Sequence, residues 1–118
     1  MSYKYFTDLE LSCRCGECDS NMNHEFMKKL VSLRGFCDFP FIISSAYRCS
    51  QHNYVIGGAD KSMHKEGRAV DIVVRGADAL FLIKNAQAFG MSGVGVSQKG
   101  EARFIHLDDR SETALWSY

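Results

Sequence analysis

Two short stretches of this 118-residue chain hold residue types that bind a cation and activate water. The first is residues 62–71 (SMHKEGRAVD), where His64 lies in a loop ending at Gly67 and Asp71 falls inside an apolar run. A carboxylate among Ala69, Val70, Ile72 and Val73 is costly to bury unless it is paired or bound to metal. A buried salt bridge is the plainer explanation of it. The second stretch is FIHLD, residues 104–108, where alternation along a strand puts His106 and Asp108 on the same face. Catalytic zinc takes three nitrogen or oxygen ligands and keeps a fourth position for water. It brings the pKa of that water toward neutrality, which makes a nucleophile for an amide carbonyl. His64, Asp71 and His106 make up such a ligand set.

The surrounding sequence predicts the elements that carry these residues. Asn23 caps a predicted helix over residues 24–34, with Phe26, Met27, Leu30 and Leu33 on one face and Gly35 as its stop. After Pro40, the β-branched and aromatic residues 41–47 (FIISSAY) read as a strand. SQHNYVIGG predicts one or two helical turns closed by Gly57 and Gly58, and the polar ADKSMHKEG reads as irregular chain. Residues 69–74 form the next predicted strand and residues 78–89 a second helix followed by Gly90. Two last strands, residues 93–97 and 103–108, are joined by the turn Gln98-Lys99-Gly100. Helices and antiparallel hairpins in this order predict an α+β domain, a small antiparallel sheet with flanking helices.

Length and a 46% hydrophobic content suit one domain over residues 1–118 with one core. Fourteen basic and fourteen acidic side chains cancel, which argues against holding nucleic acid by phosphate neutralisation. No apolar run approaches the ~20 residues that cross a bilayer, so membrane insertion is not expected. The first ten residues carry aromatics and charges in place of an apolar export signal. The expectation is a monomer made in the cytoplasm without a signal peptide. Five cysteines, an odd number, then favour reduced thiols over a complete disulfide framework.

The stretch SAYRCSQHNYVIGGADKSMHKEGRAVDI resembles the core of the D-alanyl-D-alanine carboxypeptidase and endopeptidase family of zinc peptidases. Ser62, His64, Gly67 and Asp71 meet its Ser-x-His pattern with an Asp seven residues after the His, and Ser45-Ala46-Tyr47-Arg48 matches its Ser-x-Tyr-Arg strand end. GVGVSQKGEARFIHLDDR is similar to its final hairpin, and the likeness covers roughly residues 6–110. The resemblance implies a hedgehog-type α+β fold, one catalytic zinc ion on His64, Asp71 and His106, and peptidoglycan peptides as substrate. It also implies that Arg48 stabilises a developing oxyanion or binds a substrate carboxylate. Ser62 would support the loop or contact substrate.

The general base departs from the family's patterns. Relatives place an acid three residues before the last histidine, or a second histidine two before it, and here those positions are Arg103 and Phe104. Asp108, on the same face as His106, is the candidate for the base or for a partner that orients the metal site. Glu101 is a poorer candidate because it lies nearer the hairpin turn, and a plain structural role for Asp108 stays open.

Cys13, Cys15 and Cys18, with Cys37 and Cys49, could supply the four ligands of a second, structural zinc, but the spacing matches none of the usual knuckles. Buried free thiols with one opportunistic disulfide are the preferred reading. Cys49 beside His52 has no evident orienting partner as a nucleophile. His24 reads as a surface residue, His52-Asn53 as a brace for the ligand loop, and Trp116 and Tyr118 as a cover for the core edge rather than a stacking platform. The expected function is cleavage of a peptide bond in stem peptides or cross-links, by a phage or prophage lysis enzyme released through a membrane lesion. A cytoplasmic dipeptidase is a variant of the same reading. A zinc-binding module without strong activity, serving as a wall binder or phage tail component, is the rival from a different class.

Overall fold

The computed structural model describes residues 3–118. The chain opens with a short helix, α1 (Asp8–Leu11), closed by a reciprocal cap in which Thr7 Oγ1 accepts from the Glu10 amide and Glu10 accepts from the Thr7 amide. Helix α2 (His24–Phe36) begins where Asn23 Oδ1 accepts from the Phe26 amide at 2.9 Å. Gly35 does not stop it. The helix runs on to Phe36 and ends where the Cys37 amide reaches the Leu33 carbonyl, and Gly35 lies within it at ordinary contact distance from the Tyr5 ring.

Strand β1 (Ile42–Ser45) is shorter than residues 41–47. The chain leaves the sheet after Ser45 because the next backbone groups are used elsewhere. The Tyr47 amide donates to Leu11, the Arg48 amide donates to His64, and the Ala46 carbonyl accepts from the His64 ring. Helix α3 (Ser50–Val55) and a 3₁₀ turn (Met63–Glu66) follow, then β2 (Ala69–Val73). Helix α4 (Gly76–Ala86) starts two residues before the predicted position 78, and its predicted last turn is a separate 3₁₀ segment, Gln87–Phe89. Strands β3 (Gly93–Ser97) and β4 (Phe104–Asp108) form the expected hairpin.

A fifth strand, β5 (Ala114–Ser117), was not anticipated from the sequence. It pairs parallel to β3 and completes a sheet of order β1-β2-β4-β3-β5 that is otherwise antiparallel. One face of the sheet is apolar: Ile43, Val70, Ile72, Val94, Ile105 and Leu107 pack under α2 and α4. Phe26, Met27, Leu30 and Leu33 of α2 are fully buried there, each contributing on the order of 1.5–3 kcal/mol of hydrophobic stabilisation. Cys37 belongs to the same core. Strand alternation sends the intervening side chains of β2 and β4 to the opposite face, and that face carries the polar residues of interest. Among the described residues no helix is long and apolar enough to cross a membrane.

Candidate metal centre

A single row of paired residues crosses the polar face: Ser45 on β1, Asp71 on β2, His106 on β4, Gly95 on β3 and Trp116 on β5. The second row pairs Ala69, Asp108, Gly93 and Ala114. His64 reaches the first row from outside the sheet. Ser62 caps its 3₁₀ turn by accepting from the His64 amide at 3.2 Å. The turn ends at Gly67, whose φ of 67° suits glycine and whose Cα lies so close to the backbone of Asn21 and Met22 that no side chain fits.

The geometry around Asp71 fixes the protons on both imidazoles. His64 Nδ1 lies 2.7 Å from the Ala46 carbonyl, which can only accept, so Nδ1 carries the hydrogen and Nε2 presents a lone pair. His106 Nε2 lies 2.6 Å from Asp108 Oδ2, so its hydrogen points there and Nδ1 presents a lone pair. Both free nitrogens aim at Asp71 Oδ1, from 3.2 Å and 3.0 Å. The three ligand atoms lie within 4.8 Å of one another. With both rings neutral, three lone pairs converge and repel unless a proton on one ring or a metal cation lies among them, and two nitrogens with one carboxylate oxygen are a donor set suited to zinc. These residues therefore fit the metal.

The same arrangement shifts the titrations. Burial opposes the carboxylate of Asp71, but hydrogen bonds with His106 and His64 outweigh it and hold its pKa well below the ordinary range. Burial likewise disfavours the charged form of His106, yet Asp108 and Asp71 raise its pKa above the usual value. Asp108 is fully buried. Arg110 grips it through Nε at 2.9 Å and Nη2 at 2.7 Å, and together with His106 this overcomes burial and depresses its pKa. Asp108 thus faces His106 and Arg110 rather than open space.

A cleft of about 530 Å³ opens in front of the ligands, lined by Arg48, Lys61, Ser62, Arg110, Trp116 and Tyr118 besides the ligands themselves. Arg48 is held by Asn53 Oδ1 at 2.9 Å and Ser45 Oγ at 3.2 Å, both uncharged, while its buried Nε has no partner. Burial lowers its pKa and the charge of Asp71 opposes that. Glu101 is not here: it lines a separate cleft with Phe39, Arg75 and Arg103. Asp71 is the one carboxylate among the described residues that line the metal cleft.

Three lining residues fall outside the candidate set read from the sequence. Trp116 and Tyr118 do not cover the core. Trp116 sits 5.2 Å from the His106 ring and Arg110 stacks on its face at 4.5 Å, while Tyr118 packs on Phe104 at 5.1 Å. The signal was available, since Ala114, Trp116 and Tyr118 alternate as a strand does. Arg110 has no local signal, because its place two residues after Asp108 does not show that its guanidinium folds back on that carboxylate.

Comparison with curated proteins gives no significant match. The profile of the Peptidase M15 family, by contrast, matches residues 4–108, a span that contains all three candidate ligands and the β2–β4 pairing that brings His106 beside Asp71. The chain belongs to the M15 peptidases, the family of zinc-dependent D-Ala-D-Ala carboxypeptidase-like enzymes.

Proposed function

We propose that the protein hydrolyses a peptide bond in peptidoglycan stem peptides or cross-links, with His64, Asp71 and His106 as its zinc ligands. The observation that carries this reading is the convergence of two imidazole lone pairs on Asp71 Oδ1 at 3.2 Å and 3.0 Å, in a cleft open to substrate. When bound, zinc supplies Lewis acidity that polarises the scissile carbonyl and makes water nucleophilic near neutral pH.

The chain's own residues account for the rest. Among the described residues Arg48 has no direct carboxylate contact and no partner for its Nε, so its charge is available to an oxyanion or to the carboxylate of a peptide substrate. Asp108 orients His106 and fixes its tautomer; buried and clamped by Arg110, it does not shuttle a proton. Burial raises the pKa of Tyr118, so its hydroxyl stays protonated and can donate to the oxyanion or the leaving amine. Ser62 holds the His64 loop through its cap.

The lack of a second carboxylate along the cleft favours one other reading, a zinc-bearing module that binds wall peptides without cutting them. Incubation of the zinc-loaded protein with purified sacculi separates the two. Release of new amino termini, identified by mass spectrometry as D-Ala-D-Ala, L-Ala-D-Glu or cross-bridge cleavage, supports the peptidase. Cosedimentation with the wall and no release supports the module. Action after release from the cytoplasm, as a phage or prophage lysis enzyme, belongs to the same proposal. Clearing of intact cells by protein added from outside, after outer barriers are permeabilised, tests it.

A further inference from the structure

The cysteines gather at a second place. Cys13 and Cys15 follow α1, Cys18 lies three residues on, and Cys49 is the N-cap of α3. The sulfurs of Cys13, Cys15 and Cys49 lie within 4.8 Å of one another. The Cys18 thiol neighbours Cys15 and Cys49 but stands outside that group of three. Cys37 stays apart in the apolar core.

Distances and donors both favour a cation over a disulfide. Cys13 Sγ and Cys49 Sγ are 3.7 Å apart, far from the ~2.05 Å of a disulfide bond. Four sulfurs at ~2.3 Å around a tetrahedral zinc ion stand ~3.8 Å from one another. Three of the sulfurs also accept backbone amides, each at 3.4 Å: Cys13 from Cys49, Cys15 from Glu17, and Cys49 from His52. Amides aimed at sulfur stabilise thiolates, the form that binds metal. Cys15-Gly16-Glu17-Cys18 is a C-x-x-C turn, with Gly16 at a φ of 81° letting the two thiols fold to one side.

We propose that Cys13, Cys15, Cys18 and Cys49 hold a second, structural zinc ion in a closed four-sulfur site. Its consequence is mechanical. The loop after α1 is also joined to β1 and its end by the Tyr47 amide on the Leu11 carbonyl and by Arg14 Nη2 on the Ile43 carbonyl, and Cys49 directly follows Arg48. A metal there fastens that loop to the start of α3, whose Asn53 holds the Arg48 guanidinium. The site shares no residue with the His64, Asp71 and His106 centre and stands whether or not that centre is catalytic.

The test is a cobalt titration of the full chain, purified under reducing conditions and stripped with chelator in the absence of oxygen. Two equivalents are expected to bind, one of them giving intense sulfur-to-cobalt charge-transfer absorption in the near ultraviolet that zinc abolishes. His106→Ala keeps that absorption and loses one equivalent. Cys15→Ser with Cys18→Ser loses the absorption, and if that variant does not fold, the unaltered protein's spectrum still decides. Saturation without sulfur charge transfer, or a Cys13–Cys49 disulfide in freshly purified reduced protein, overturns the proposal. Binding of only one equivalent in all, abolished by His106→Ala, also overturns it and leaves the other centre intact.

Discussion

Asp71 and His106 are direct cross-strand partners, paired in the β2–β4 register with Oδ1 and Nδ1 3.0 Å apart. A ligand pair so placed depends on two adjacent strands of the sheet rather than on a loop, which makes it rigid before any metal arrives. The expected result of His106→Ala is loss of catalytic zinc and of hydrolysis, with a folded chain. Elemental analysis beside a circular dichroism spectrum checks it, and hydrolysis persisting in the zinc-depleted variant removes the proposal.

Asp108→Asn separates a positioning role from a base. Asn keeps an acceptor for His106 Nε2 but gives up the charge that Arg110 holds at 2.7 Å. Zinc affinity is expected to fall about 10–100-fold, with the loss of turnover largely recovered at saturating zinc. A turnover defect of the same size at all zinc concentrations, with affinity unchanged, assigns Asp108 to proton transfer instead.

Arg48→Ala tests the free guanidinium. If the group stabilises the oxyanion, kcat falls about 10²–10³-fold with little change in KM. A rise in KM confined to substrates that end in a free carboxylate moves Arg48 to substrate binding. Unchanged kinetics on every substrate leaves it a structural brace between Asn53 and Ser45.

Chelated protein has a distinct pH window. Asp71 and Asp108 have folded pKa values depressed below the ordinary 3.8, so their stabilisation is full above that value and is lost as pH falls through the folded ones. His106 has a folded value raised above 6.5, so its contribution is full below 6.5 and is lost as pH rises through the folded one. Metal-free protein is therefore most stable between about pH 4 and 6.5. Zinc requires unprotonated His106 and extends stability to higher pH. Urea midpoints with and without zinc across pH 4–9 measure both; a metal-free protein that gains stability above pH 7 contradicts the assignment.

Gly95→Ala probes the fit of Trp116. A Cβ at Gly95 would stand 2.6 Å from the indole nitrogen. Overpacking of this kind costs about 1–3 kcal/mol. Trp116 is the one tryptophan in the sequence, so its fluorescence reports the displacement directly. An unshifted emission spectrum with unchanged stability contradicts the close contact.

Local chemistry in the sequence was enough for the Asn23 cap of α2 and for the alternation that puts His106 and Asp108 on one face. Each of these depends on neighbours a few positions apart, where helix and strand periodicities act. The α+β architecture followed from the same patterns. Pairing and register across long separations were decided only by the folded chain. Gly95, having no side chain, admits Trp116 from a parallel strand that no hairpin announces. Arg110 folds back on Asp108 and pairs with it, while Glu101 faces a different cleft. Cys13 and Cys49 are 36 positions apart in the chain, yet their sulfurs come within 3.7 Å. Such contacts depend on how strands and loops close in space, and residue spacing alone carries no information about that closure.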